Sequence, residues 1–212
     1  MNKKEAKRMF MTYLKERNIN YHEHLDTGDT SIYMLLTGYD KCPDKVLECS
    51  IFFLDSCMEV RVYFNDNAND WINKRSDELS NIYRLLNYIN AMVWSFTHDG
   101  IGGELYSPHH LQIPRFYITE EGYFDFTATT VIDYDHFEMA PLETVDYCTA
   151  AIPELMNKLS LPFFFLLMKE IPVDDAISLI ERDVLNKKSV NVGKKLEKIF
   201  PENPKKNEHY RH

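Results

Sequence analysis

The 212-residue chain is 44% hydrophobic, enough to bury a substantial core in one domain or at most two. Its 24 basic and 33 acidic residues leave a net charge of −9. Such a surface repels phosphate backbones and anionic headgroups, which excludes nucleic acid and membrane surfaces as default partners.

The basic start Lys3-Lys4-Glu5-Ala6-Lys7-Arg8 is like that of a signal peptide, but residues 9–14 are too short an apolar stretch, contain Thr12 and run into Lys15-Glu16-Arg17 with no cleavage site. The expectation is a cytoplasmic protein. Ala6, Met9, Phe10, Tyr13 and Leu14 share one helical face, so a surface helix packs there on something apolar. Its basic outer face reads as solvated, with attraction of an acidic partner as the alternative.

Strand signals follow over residues 21–25, weakly, then 31–39, and then 47–54, which is rich in β-favouring residues. Cys42-Pro43-Asp44-Lys45 reads as a loop. Met58, Val60, Val62 and Phe64 alternate with Glu59, Arg61, Tyr63 and Asn65, which predicts a strand with one face in the core. A two-residue turn at Asp55-Ser56 sets Leu54 opposite Cys57 and Cys49 opposite Val62, keeping the two thiols apart. With no C-x-x-C pair, Cys42, Cys49, Cys57 and Cys148 read as small buried hydrophobes in a reducing compartment.

Leu79, Ile82, Leu86, Ile89, Val93 and Phe96 recur at helical spacing after Ser76-Asp77-Glu78, which supplies a cap and favourable charge. Residues 97–114 form an irregular insert, and residues 115–119 and 123–131 form a hairpin around Glu120-Glu121-Gly122. A third helix starts near Pro141 and carries Leu142, Val145, Thr149, Ile152, Met156 and Leu159, with Pro153 expected to bend or break it. Another apolar helical piece follows Pro162. A polar-faced helix then spans residues 172–186, and residues 201–212 read as a disordered tail.

The glycines of Asp99-Gly100-Ile101-Gly102-Gly103 follow a helix and precede a strand, the reverse of a phosphate loop. His98, Asp99, Glu104, His109 and His110 are ligand types without a stiff scaffold or an H-E-x-x-H pattern. His22 and His24 share a strand face and read as a polar sheet edge. No catalytic, cofactor-binding or metal residue is assigned. The run Leu161-Pro162-Phe163-Phe164-Phe165-Leu166-Leu167-Met168 is either a core helix or a partly exposed face. As a face, its interaction surface is Phe163, Phe164, Phe165, Leu167 and Met168. Asn87 and Asn90 lie beside the second helix's stripe, where their amides suit anchoring a neighbouring loop.

Three places carry a resemblance to a known family: Met58-Glu59-Val60-Arg61-Val62-Tyr63-Phe64, Leu85-Leu86-Asn87-Tyr88-Ile89-Asn90, and the hairpin from Arg115-Phe116-Tyr117-Ile118-Thr119 on to the helix ending Ile152-Pro153-Glu154-Leu155-Met156. Over residues 3–159 the chain resembles the YbjN-like family of bacterial sensory transduction regulators. The resemblance implies a fold like the type III secretion chaperones, which are dimers that hold partner segments and catalyse nothing. The insert at 97–114 and the segment after Leu161 depart from the family pattern.

The expected fold is therefore α+β: a twisted antiparallel sheet of five to six strands with helices packed on it, in the order α-β(β)ββ-α-ββ-α plus C-terminal helices. Residues 1–200 make one domain, with a core at 3–159 and a helical extension at 161–200. The expected function is a non-enzymatic protein-interaction or regulatory module, chaperone-like, without cofactor, binding an unidentified protein partner and forming a homodimer. The alternative is a metal-dependent or small-molecule enzyme using the loop from His98 to His110.

Overall fold

A computed structural model describes residues 1–24, 31–75, 77, 79–95, 113–119 and 124–185. In chain order the elements are α1 (Lys3–Glu16), β1 (His22–His24), β2 (Ser31–Thr37), β3 (Val46–Phe53), β4 (Cys57–Phe64), α2 (Asp66–Lys74) and α3 (Leu79–Ser95). They continue with β5 (Arg115–Ile118), β6 (Phe126–Asp133), α4 (Tyr134–Met139), α5 (Pro141–Asp146), a π turn (Tyr147–Ala151), α6 (Ile152–Leu167) and α7 (Val173–Asp183).

Helix α1 starts on a capping box: Asn2 Oδ1 accepts from the Lys4 and Glu5 amides, and Glu5 Oε2 accepts from the Asn2 amide. Ala6, Phe10 and Leu14, four apart, are buried on one face.

The six strands pair antiparallel in the order β1-β2-β3-β4-β6-β5. The turn after β3 is the two-residue one expected: the Leu54 amide donates to the Cys57 carbonyl, and Cys49 pairs with Val62. The β5–β6 hairpin joins through β6 beside β4, which leaves β5 at the edge. There Asn90 of α3 completes the backbone of β5. Its Nδ2 donates to the Phe116 carbonyl at 2.8 Å, and its Oδ1 accepts from the Phe116 amide at 2.9 Å. Both Asn87 and Asn90 are exposed, and the anchoring contact is that of Asn90.

The period of two sorts the sheet into two faces. Ile32, Met34, Leu36, Leu47, Cys49, Ile51, Phe53, Met58, Val60, Val62, Phe64, Phe126, Ala128 and Ile132 are buried beneath the helices. Phe10 meets Phe53 edge-on, while Phe163 lies 4.4 Å from Phe126 and Phe164 lies 5.0 Å from Phe64, centroid to centroid. Cys42, Cys49 and Cys148 are buried and Cys57 is partly so. Burial pushes the Cys42 and Cys49 thiols up to about 12, far from the thiolate a nucleophile needs.

Three findings depart from the sequence reading, and a fourth settles a choice it left open. Helix α2 was not foreseen. It starts on Asn65, whose Oδ1 accepts from the Ala68 amide, and buries only Ala68, Asn69 and Ile72. Pro153, expected to bend or break the third helix, does not break it. The backbone widens into the π turn just before it, the Ile152 amide reaching Tyr147, and the Thr149 carbonyl that a proline cannot serve accepts from Tyr39 Oη at 3.4 Å. Helix α6 also runs straight through Pro162 rather than restarting after it. Finally, Phe163 and Leu167 are fully buried and Phe164 is 8% exposed, while Phe165 and Met168 are partly buried. A helix apolar all round belongs in the core, so Phe163, Phe164 and Leu167 are not an interaction surface.

The continuous helical stretch Pro141–Leu167 is long and apolar enough to cross a membrane, and 67% of its most apolar window is buried inside the protein. Its polar Asn157 and Ser160 are satisfied: Asn157 Oδ1 accepts from the Lys41 amide and Ser160 Oγ donates to the Lys41 carbonyl. Ser76 of the expected cap, the Val93 side chain, the insert ligands His98, Asp99, Glu104, His109 and His110, the hairpin tip Glu120-Glu121-Gly122 and the tail at 201–212 lie outside the described residues.

Candidate functional site

The helices pack against one face of the sheet; the other carries three rows of side chains set by the strand register. One row runs Ser31, Phe52, Glu59, Val131; the next Tyr33, Ser50, Arg61, Thr129, Arg115; the third Leu35, Glu48, Tyr63, Thr127, Tyr117. His22 of the edge strand pairs with Tyr33 and is exposed. Leu35 is 51% and Val131 56% exposed. Tyr33, Phe52, Tyr63 and Tyr117 are partly buried. An aromatic and aliphatic set on a face that no described helix covers is what docking surfaces expose.

Polar contacts stiffen this face. Ser50 Oγ and Tyr63 Oη share a hydrogen bond of 2.8 Å. Arg61 donates to both oxygens of Glu59, at 2.9 and 3.1 Å, while its guanidinium stands 4.9 Å from the Phe52 ring centroid. Thr129 Oγ1 donates to the Val60 carbonyl at 3.2 Å.

At the end of the face where α2 begins, the chemistry turns acidic. Burial raises the Glu48 carboxyl above its ordinary range and the charge of Asp66 adds to that, against a hydrogen bond from Tyr33. Asp125, just before β6, is held up at about 7: burial dominates, contact with the Asn69 amide opposes it, and the charges of Glu48 and Asp66 add to it. Asp125 Oδ1 and Asn69 Oδ1 are buried with no hydrogen-bond partner, although Asn69 Nδ2 donates to the Phe64 carbonyl at 3.0 Å. One residue pair away, Asn73 clamps Phe124 as Asn90 clamps Phe116, accepting from its amide at 2.9 Å and donating to its carbonyl at 3.0 Å.

A second charged surface lies on α1. Lys4, Lys7, Arg8, Met11, Thr12, Lys15 and Glu23 line an open groove of about 280 Å³, within which Lys7 pairs with Glu23 at 2.9 Å. Glu23 reaches it because it points to the helix side of the edge strand, opposite Ile32.

The structure therefore moves the candidate site from the Phe163 run to the open sheet face. The signal was present in the alternation of β4, whose outer residues Glu59, Arg61 and Tyr63 are on this face. The contributions of Glu48, Asn69 and Asp125 arise from pairing between distant segments. His24's side chain lies outside the described residues. Among the described residues, no three His, Cys, Asp or Glu side chains converge as metal ligands would. Compared with family models, curated proteins and solved structures, the chain has no match.

Proposed function

We propose that the protein is a non-enzymatic protein-interaction or regulatory module, chaperone-like in holding a segment of a partner protein, and that the open face of its sheet is the holding surface. The observation that carries this reading is the set Tyr33, Leu35, Phe52, Tyr63, Tyr117 and Val131, presented together on a pleated platform whose opposite face is buried. Side chains fixed by strand register lose little freedom when a partner docks, so the area they bury is converted efficiently into affinity. The resemblance to the YbjN-like family supports the same class of function and brings with it a two-fold homodimer, and the cytoplasmic setting is the one read from the cysteines and the N-terminal sequence.

A photo-crosslinking residue placed at Leu35 or Val131 in the living host tests the reading. Discrete adducts with another polypeptide are expected from both positions, and none from Tyr83, which is exposed on α3 away from the sheet face. Absence of any adduct from positions 35 and 131, or reproducible turnover of a small molecule by the purified protein, contradicts it.

A further inference from the structure

We propose that the segment held by the open face is basic, with a lysine or arginine side chain seated at the end of the sheet formed by Glu48, Asp66 and Asp125. This inference rests on the docking reading of that face and adds the chemistry of the partner.

Charge is the first argument. The rows carry Glu48 and Glu59, with Asp125 beside them and Asp66 in the first turn of α2. Of the two cations in the rows, both in the second, Arg61 is committed bidentately to Glu59 and Arg115 stands on the edge strand β5, away from the acidic end. Among the described residues neither Glu48 nor Asp125 takes part in a salt bridge; the strand register sets Glu48 beside Tyr63 and Tyr63 beside Thr127, two residues after Asp125, and the charge of Asp66 disfavours ionisation of both while that of Glu48 adds to the effect on Asp125. A cation entering there is favoured by all three at once.

Hydrogen bonding is the second. Asn69 is 3% exposed and its Oδ1 has no donor, and Asp125 Oδ1 beside it has none either. Buried acceptors without donors are costly, and once Asp125 has lost its proton this end, rich in acceptors, suits a group with donors only: three on an ammonium, five on a guanidinium.

The surroundings are the third. Tyr63 and Tyr117 both sense the Asp125 charge, Tyr33 hydrogen-bonds Glu48, and Leu35 shares the row of Glu48. Rings and aliphatic groups interleaved with carboxylates suit long cationic side chains, whose methylene stems pack on the rings while their heads pair with the acids. Arg61 over Phe52 already shows this arrangement within the protein. The groove on α1 has the opposite sign and would select an acidic segment instead.

Fluorescence anisotropy of the full chain with three labelled peptides of about twelve residues, alike except that leucines alternate with lysine, glutamine or glutamate, tests the inference. The lysine peptide is expected to bind about tenfold or more tighter than the glutamine peptide, and Glu48→Gln or Asp125→Asn to remove most of that preference. Equal binding of the lysine and glutamine peptides, both lost in Leu35→Glu/Val131→Glu, overturns the basic partner and leaves the docking face standing. Failure of all three to bind overturns both. Preference for the glutamate peptide, lost in Lys4→Glu/Lys15→Glu, assigns recognition to α1 and overturns the inference. So does self-association of the protein that the lysine peptide reverses, because the face would then hold a second copy.

Discussion

Asp125 binds a proton up to about 7 in the folded protein, whereas an exposed aspartate gives it up near about 4. A raised acid favours the folded state while it stays protonated. Its contribution is full below the unfolded value, falls as pH rises between the two values, and is absent above about 7. Asp125→Asn removes that dependence and the charge beside Glu48 and Asp66. Urea unfolding of both proteins is expected to show little difference at about pH 4 and a variant more stable by roughly 2–3 kcal/mol at about pH 8. A difference that does not change with pH contradicts the assignment. A second residue-scale test is Lys169, which closes α6 with a left-handed φ of 61° while the Glu170 amide donates to the Phe165 carbonyl. Glycine adopts that conformation freely, so Lys169→Gly is expected to raise the midpoint of thermal unfolding, corresponding to about 0.5–1 kcal/mol.

At the scale of elements, the sequence period identified α1, α3, α7 and β2, β3, β4, β5 and β6 because in each the apolar positions repeat with one spacing toward one neighbour. It missed α2, whose nine residues include three asparagines and two aspartates, poor helix formers held by a cap and by packing such as Trp71 against Phe164. It did not show that the helix continues past Pro153, because relief came from Tyr39, more than a hundred residues earlier in the chain. It left open whether the Phe163 run was core or surface because a helix apolar on every side has no stripe to orient it. These elements give two further tests. Phe164→Glu buries a carboxylate among Phe64, Trp71 and Phe163 and is expected to cost more than about 4 kcal/mol or to abolish folding, read as loss of the cooperative thermal transition. Asn90→Ala strips both backbone partners from the middle of β5 and is expected to cost about 1–3 kcal/mol, with amide exchange accelerated in β5 before β2 or β3.

At the scale of the whole molecule, one sheet separates two environments. Its inner face joins the helices in a continuous core that includes Phe10, Phe64, Phe126 and Phe163, and its outer face keeps aromatics and carboxylates in ordered rows. The alternation within each strand was legible in the sequence. The rows were not, because which residue of β6 stands beside which residue of β4 is set by a register between segments more than sixty residues apart. The homodimer in the proposed reading cannot run through Phe163 or Leu167, and light scattering of the intact protein reports whether a dimer forms. The central claim, that the open face holds a partner, is tested most directly by the double variant Leu35→Glu/Val131→Glu. Both side chains are more than half exposed, so the variant is expected to melt within a few degrees of the parent, each change costing no more than about 0.5 kcal/mol. Polypeptide recovered with the parent protein from its host should be lost with the variant. Undiminished recovery of the same polypeptide by the folded variant would contradict the account.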